Sequence, residues 1–322
     1  MITKAYHGYS RLTGHCLQTT LKSQVTFEGV GLHSGAPVTM VVRPAKPGHG
    51  ICFLRSDIEI GDARIAALWN LVDRTPLCTR LENQSGISVS TVEHIMAALA
   101  GCGIHNALIE IDGPEVPILD GSAAPFMRGI MRNGVRLQDA PLRAIEILMP
   151  IVVEHNGARA SLVPCDRLEI SFTIDFTDRA IGHQSKTLDM RNGTFARELC
   201  DSRTFCRQSD VETMHENGLA QGGTLENAVV VDGDVVLSPG GFRHSDEAVR
   251  HKMLDALGDL ALAGAPILGR YEGIRAGHSL TNTLLRAVFE TPGAFRVVKC
   301  DAEMAARLPG QGLVWSEIPK VA

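Results

Sequence analysis

The sequence predicts an α+β protein assembled from two units, each a run of strands followed by a helix. Three observations carry this expectation. The chain has 322 residues, 44% apolar and 21% charged, which is enough for two cores of ordinary globular composition. A strand-then-helix pattern in the first part of the chain restarts around Asn133–Pro150. Two short similarities also recur in the same order. His33-x-Gly35-Ala36 with Pro44 resembles His155-x-Gly157-Ala158 with Pro164, and His94-x-Met96 with Leu99 resembles His251-x-Met253 with Leu257. The paired histidines stand 61 positions apart in the first half and 96 in the second, so an insertion of 35 residues in the second half reconciles them. The helices carrying His94 and His251 then occupy equivalent places and can face each other across a domain interface, where ligand sites are common.

The elements follow in chain order. Residues 1–19 are expected to be a short, poorly ordered extension, without the apolar h-region of a secretory signal. Val25–Val30 and Val38–Val42 are β-rich and separated by the glycine-rich stretch Gly29–Gly35, which reads as strand, turn, strand. Ser90–Ala100 reads as a helix, because Val92, Ile95, Met96 and Leu99 fall at i, i+3, i+4 and i+7. Ala107–Ile111 is a strand and Asp112–Pro117 a turn-rich loop. Ile145–Glu154 and Leu168–Phe176 read as strands of the second unit. A long helix spans about Ser245–Ala263, ended by the Pro and Gly of Ala265–Gly269.

Composition excludes some function classes. A net charge of −5 supplies no global basic field for nucleic acid. No window approaches about 18 uninterrupted apolar residues, so no spanning helix is expected. The eight cysteines are scattered without a C-x-x-C pair, which suits a reducing cytoplasm better than a disulfide framework or a zinc knuckle.

On the second long helix, Val249, Met253, Ala256, Leu257 and Leu260 share one face. His251, Asp255 and Asp259 lie at i, i+4 and i+8 on the other, with Lys252 beside them. This is either a solvated polar face or a row of ligands, since His at i and Asp at i+4 can chelate one cation. The first helix offers a third ligand in His94, in the first turn, where the helix dipole disfavours positive charge. Glu93 has two readings also: partner of Ser90 in a capping box, or the base beside a metal ligand. Gly277-His278 and Ser202-Arg203-Thr204-Phe205 are unremarkable in isolation, although a hydroxyl donor there would suit a site.

Several stretches together resemble the UDP-3-O-acyl-N-acetylglucosamine deacetylases of lipid A synthesis. They are residues 29–35 (GVGLHSG), 90–94 (STVEH), 116–126 (VPILDGSAAPF), 202–205 (SRTF), 222–227 (GGTLEN), 250–259 (RHKMLDALGD) and 277–278 (GH). They occur in family order across most of the chain. The resemblance implies two domains of similar topology, each a sheet layered against helices, with the active site between them. They would be domain I over 20–142, carrying Glu93 and His94, and domain II over 143–312, carrying His251, Asp255, Asp259 and His278. A βαβ insertion at about 204–235 would form a passage for the acyl chain.

The resemblance also implies roles. His94, His251 and Asp255 would hold Zn2+, and the same ligands suit Fe2+. Glu93 would be the general base, His278 a cation assisting the oxyanion or leaving group, and Asp259 its orienting partner. Thr204 would donate to the oxyanion. Phe205, Lys252, Arg275 and Cys78 match substrate-side positions, with Lys252 and Arg275 as candidates for the diphosphate and Cys78 at a position near the metal. Two departures stand out. Arg275 replaces a Lys found in some members, which changes the geometry of a phosphate contact. Cys206-Arg207 replaces Gly and an aromatic residue at the entrance to the acyl passage. The reaction implied is zinc-dependent hydrolysis of the N-acetyl group of UDP-3-O-acyl-N-acetylglucosamine by water, in a cytoplasmic monomer. Two alternatives are an amidase for another nucleotide sugar and a non-catalytic lipid or nucleotide binder; the intact set of Glu93, His251, Asp255, Asp259 and His278 argues against the binder.

Overall fold

The structure, a computed structural model, describes residues 16–73, 77–313 and 315–320. Its fold is α+β, and two sheets dominate it. The first has the strand order Val25–Val30, Pro37–Pro44, Ala107–Ile111, Ile51–Arg55, Arg64–Ala66. Its pairings are antiparallel, antiparallel, parallel and antiparallel in turn. The second contains Ile151–His155, Ala158–Val163, Ile267–Ile274, Leu168–Asp175 and His183–Asp189, paired in that order with the same alternation. The faint sequence similarity therefore coincides with an identical pairing order. His33 follows the opening strand of the first sheet, and His155 closes the opening strand of the second. The second sheet is extended by Arg143–Ile147 and Phe295–Lys299.

The longer helices among the described residues are α1 (Glu93–Gly101), α2 (Ala124–Asn133), α3 (Gln208–Glu216), α4 (Glu247–Ala261) and α5 (His278–Glu290). Helix α2 lies on the first sheet's edge strand, α5 on Ile151–His155 and Ala158–Val163, and α4 on Leu168–Asp175, while α1 and α4 pack against each other. One continuous apolar cluster spans both halves, with Met96 and Leu99 of α1 and Met253 and Leu257 of α4 among its members. The α1–α4 approach is close because position 258 is glycine. A Cβ there would fall on the Glu93 carbonyl, deep inside van der Waals contact. Among the described residues, no helix is long and apolar enough to cross a membrane.

Three sequence expectations are corrected. The extension expected over 1–19 lies outside the described residues up to position 15. From there Leu17–Leu21 is a strand, paired antiparallel with Val135–Pro141. It is held because Leu21 is fully buried and the Thr20 hydroxyl donates to the Asn106 carbonyl at 2.6 Å. The single strand expected over Ile145–Glu154 is two, Arg143–Ile147 and Ile151–His155. Pro150, which has no N–H for a ladder, separates them. The capping box at Ser90 is absent: α1 starts at Glu93 behind Val92 with no side-chain cap, and the Ser90 hydroxyl donates to the Pro114 carbonyl instead. In the region expected to be inserted, strand Phe205–Arg207, helix α3 and strand Val229–Asp232 make a βαβ unit whose strands are parallel.

Candidate active site

The polar row on α4 is not solvated. His251, Asp255 and Asp259 are all buried, as are Glu93 and His94 at the start of α1. The row faces α1 because the opposite, apolar face of α4 joins the core. Burying so many ionisable groups is unfavourable unless each is paired or hydrogen-bonded, so their partners define the site.

The imidazoles of His94 and His251 meet edge to face, with centroids 5.1 Å apart. Their Nε2 atoms lie 3.6 and 3.3 Å from Asp255 Oδ1. His251 Nδ1 is 3.0 Å from the Ser202 carbonyl oxygen. A carbonyl only accepts, so Nδ1 carries the proton and the Nε2 lone pair points at Asp255. Asp255 Oδ2 is taken by the Lys252 ammonium at 2.7 Å, whereas Oδ1 is buried with no hydrogen-bond partner. A carboxylate oxygen without a hydrogen-bond partner, flanked by two imidazole nitrogens, fits a metal cation. Ligand atoms placed tetrahedrally at zinc bond lengths stand about 3.3 Å apart, near both carboxylate–imidazole separations. The three residues form a cluster able to hold a metal ion, with all ligand atoms within 4.8 Å of one another.

A second set of groups adjoins this cluster. His278 is the first residue of α5, behind Gly277. Its Nδ1 donates to Asp259 Oδ2 at 2.9 Å, and its Nε2 lies 3.8 Å from both Glu93 Oε1 and Asp255 Oδ2. Burial alone would lower the His278 pKa, but the Asp259 and Glu93 carboxylates outweigh it and hold it at about 9. Burial raises the Glu93 carboxyl above its usual range, against the pull of His278 and His94. Burial lowers His251 to about 4, which keeps it neutral as a ligand. Burial works against ionised Asp255, yet its neighbours, among them the cationic Lys252 and His278, keep its carboxyl well below the usual range.

These groups open onto a cavity of about 1180 Å3. Glu93, His94, His251, Lys252, Asp255 and His278 line one part of it. The apolar Phe176, Phe205, Val211, Met214 and Leu225 also line it, Val211 and Met214 from α3, as do Glu154, His155 and Asn156. Thr204 and Phe205 reach the cavity, Phe205 edge-on to both Phe176 and His251.

Two residues expected at the site are not among the described residues that line the cavity. Arg275 is exposed, and its guanidinium donates to the Gly157 carbonyl at 2.6 Å, closing the His155–Ala158 turn rather than entering the cavity. Cys78 is buried, and among the described residues the cavity wall at that point is its neighbour Leu77. Conversely, Thr79 gave no signal in the sequence. Its N–H donates to Glu93 Oε2 at 3.1 Å and its hydroxyl to Asp259 Oδ1 at 2.6 Å, so one residue fixes the carboxylates of both. No spacing rule could find it, because Thr79 and Asp259 are 180 positions apart.

Residues 18–290 match the family model of the UDP-3-O-acyl N-acetylglycosamine deacetylases. The chain is 50% identical to the UDP-3-O-acyl-N-acetylglucosamine deacetylase of Phenylobacterium zucineum over 280 residues, covering 87% of this chain and 96% of the relative. It is 47% identical to the enzyme of that name from Myxococcus xanthus over 299 residues, covering 93% and 94%. The relative of the same name in Shewanella oneidensis is 41% identical over 305 residues, covering 93% and 99%. The chain belongs to the UDP-3-O-acyl N-acetylglycosamine deacetylase (LpxC) family.

Proposed function

We propose that the chain hydrolyses the N-acetyl amide of UDP-3-O-acyl-N-acetylglucosamine, releasing acetate and UDP-3-O-acyl-glucosamine, the committed step of lipid A synthesis. Family membership supports the substrate. The observation that carries metal dependence is the buried, unpartnered Asp255 Oδ1 between the Nε2 atoms of His94 and His251. Zinc is the ion proposed, and Fe2+ suits the same donors. When bound, it supplies a Lewis acid that polarises the amide carbonyl and brings the pKa of water from about 15.7 towards about 7.

The remaining work falls to the chain. Glu93, held by the Thr79 N–H and raised by burial, takes the proton of the attacking water. His278, kept cationic by Asp259, offers its Nε2–H to the developing oxyanion, with the Thr204 hydroxyl as second donor. The leaving amine takes its proton from one of two acids, newly protonated Glu93 or His278. Lys252 neutralises Asp255 and lines the cavity, where it can meet an anionic part of the substrate. The apolar residues of the cavity wall, Val211 and Met214 of α3 among them, suit the 3-O-acyl chain. The same reading takes residues 20–142 and 143–312 as the two domains, 204–235 as the passage insertion, and the protein as a cytoplasmic monomer.

The test is acetate release from the UDP-acyl-sugar before chelation, after it, and after zinc add-back, over a series of acyl lengths. Turnover should vanish and return, and His94→Ala or Asp255→Ala should hold no metal. Parental turnover by metal-free protein would overturn the proposal.

A further inference from the structure

Glu247 begins α4, one turn before His251, and is fully buried. Its carboxylate accepts four hydrogen bonds. Oε1 takes the Arg203 backbone N–H and Nε, both at 2.9 Å, and Oε2 takes Arg203 Nη2 at 3.1 Å and the Arg243 backbone N–H at 2.6 Å. Arg203 is buried too, and its Nη2 also donates to the Gly241 carbonyl at 2.6 Å. A buried ion pair is weak evidence of stability, because desolvation offsets the attraction. What this pair holds is more informative.

The N–H of Arg203 and the C=O of Ser202 belong to one peptide plane. The trans peptide is rigid, so its N–H and C=O point in opposite directions. On one side Glu247 grips the N–H; on the other, the C=O accepts from His251 Nδ1 at 3.0 Å. Both the grip and the imidazole come from α4. The next residue, Thr204, is fixed by its N–H to the Gly121 carbonyl at 2.8 Å. Arg243 adds a further tie, since its Nη1 donates to Asp120 Oδ2 at 2.9 Å and to the Asp201 carbonyl at 2.8 Å. The VPILDGS stretch, singled out in the sequence without a role, thus anchors the segment that carries Ser202 and Thr204.

We infer that Glu247 is a positioning residue: by holding the Ser202–Arg203 peptide it fixes the tautomer and ring orientation of His251 as a metal ligand. The inference rests on the metal-site reading above. Partners that orient a ligating histidine typically contribute about 10- to 100-fold in metal affinity.

Two double variants, both without the ion pair, separate orientation from general stability. Glu247→Gln/Arg203→Met keeps an acceptor oxygen for the backbone N–H of position 203. Glu247→Leu/Arg203→Met removes it. Zinc affinity is measured on the full chain by competition with a chromophoric chelator, alongside urea unfolding of the chelated protein. The Leu/Met chain should bind zinc about 10- to 100-fold more weakly than the parent, and the Gln/Met chain should stay close to the parent. Parental affinity in Leu/Met, or equal loss in both, would overturn the inference. If Leu/Met does not fold, Glu247→Ala/Arg203→Met carries the same comparison. Failure of the parent itself to bind zinc would instead sink the metal-site reading, which keeps the two failures distinct.

Discussion

Replacing Asp259 by Asn tests how the site keeps His278 charged. The substitution preserves shape, and the Asn carbonyl oxygen can still accept from the Thr79 hydroxyl now bonded to Asp259 Oδ1 at 2.6 Å. What it removes is the negative charge 2.9 Å from His278 Nδ1. An opposite charge this close typically moves a pKa by about 1–3 pH units, or roughly 1.4–4 kcal/mol of preference for the charged form. Without Asp259, only Glu93 among the major contributors still raises His278 against the lowering by burial, so its pKa should fall from about 9 towards its ordinary value of 6.5. The cation is the active form in the proposed mechanism, so activity is lost as pH rises through the His278 pKa. The basic limb of kcat/KM should therefore move to lower pH in Asp259→Asn, by about 1–2 pH units. A cation in the adjacent triad lowers the starting value in both proteins, so the readout is the difference between them. The assay is kcat/KM from about pH 6 to pH 10. An unmoved basic limb would show either that Asp259 does not hold the proton or that the limb reports another group.

Four further outcomes are expected. Glu93→Gln should keep metal affinity, measured by chelator competition, but lose about 10²–10⁴ in rate; a parental rate would remove Glu93 as the base. Gly258→Ala should destabilise the chain by about 1–3 kcal/mol in urea unfolding and also lower kcat, because the new Cβ presses on the Glu93 carbonyl. A neutral Gly258→Ala would mean that the helix approach is not tight. Arg275→Ala, exposed and tied to Gly157, should change KM by no more than about twofold, the range of ordinary surface substitutions. Lys252→Ala should have a far larger effect, because it leaves Asp255 Oδ2 without its ammonium. A large KM rise in Arg275→Ala alone would return the diphosphate contact to that residue.

Much of the site was legible in the sequence, unevenly. His251, Asp255 and Asp259 fall on one helix face by periodicity, and the structure keeps them there. Periodicity alone left open whether that face meets water or protein. A polar stripe looks the same in either case, and the answer lies in α1, a helix some 150 positions away. The capping-box reading of Glu93 failed for a related reason. Ser90-x-x-Glu93 has the right spacing, but the Thr79 N–H competes for the Glu93 carboxylate and Pro114 takes the Ser90 hydroxyl. Arg275 followed the same pattern: a cation near the site in sequence, drawn instead to a carbonyl on the neighbouring hairpin.

The sequence by itself determined the strand-and-helix content, the approximate repeat and the identity of the ligand candidates. These depend on side-chain period and residue chemistry, which are local properties. Only the tertiary structure decided that the polar row is buried, that Asp255 Oδ1 is left without a partner, and that Thr79 and the Ser202 carbonyl hold Glu93, Asp259 and His251. Those facts arise where α1 and α4 close over the missing side chain of Gly258. Hydrogen bonds between residues far apart in the chain exist only once the core has brought their backbones together.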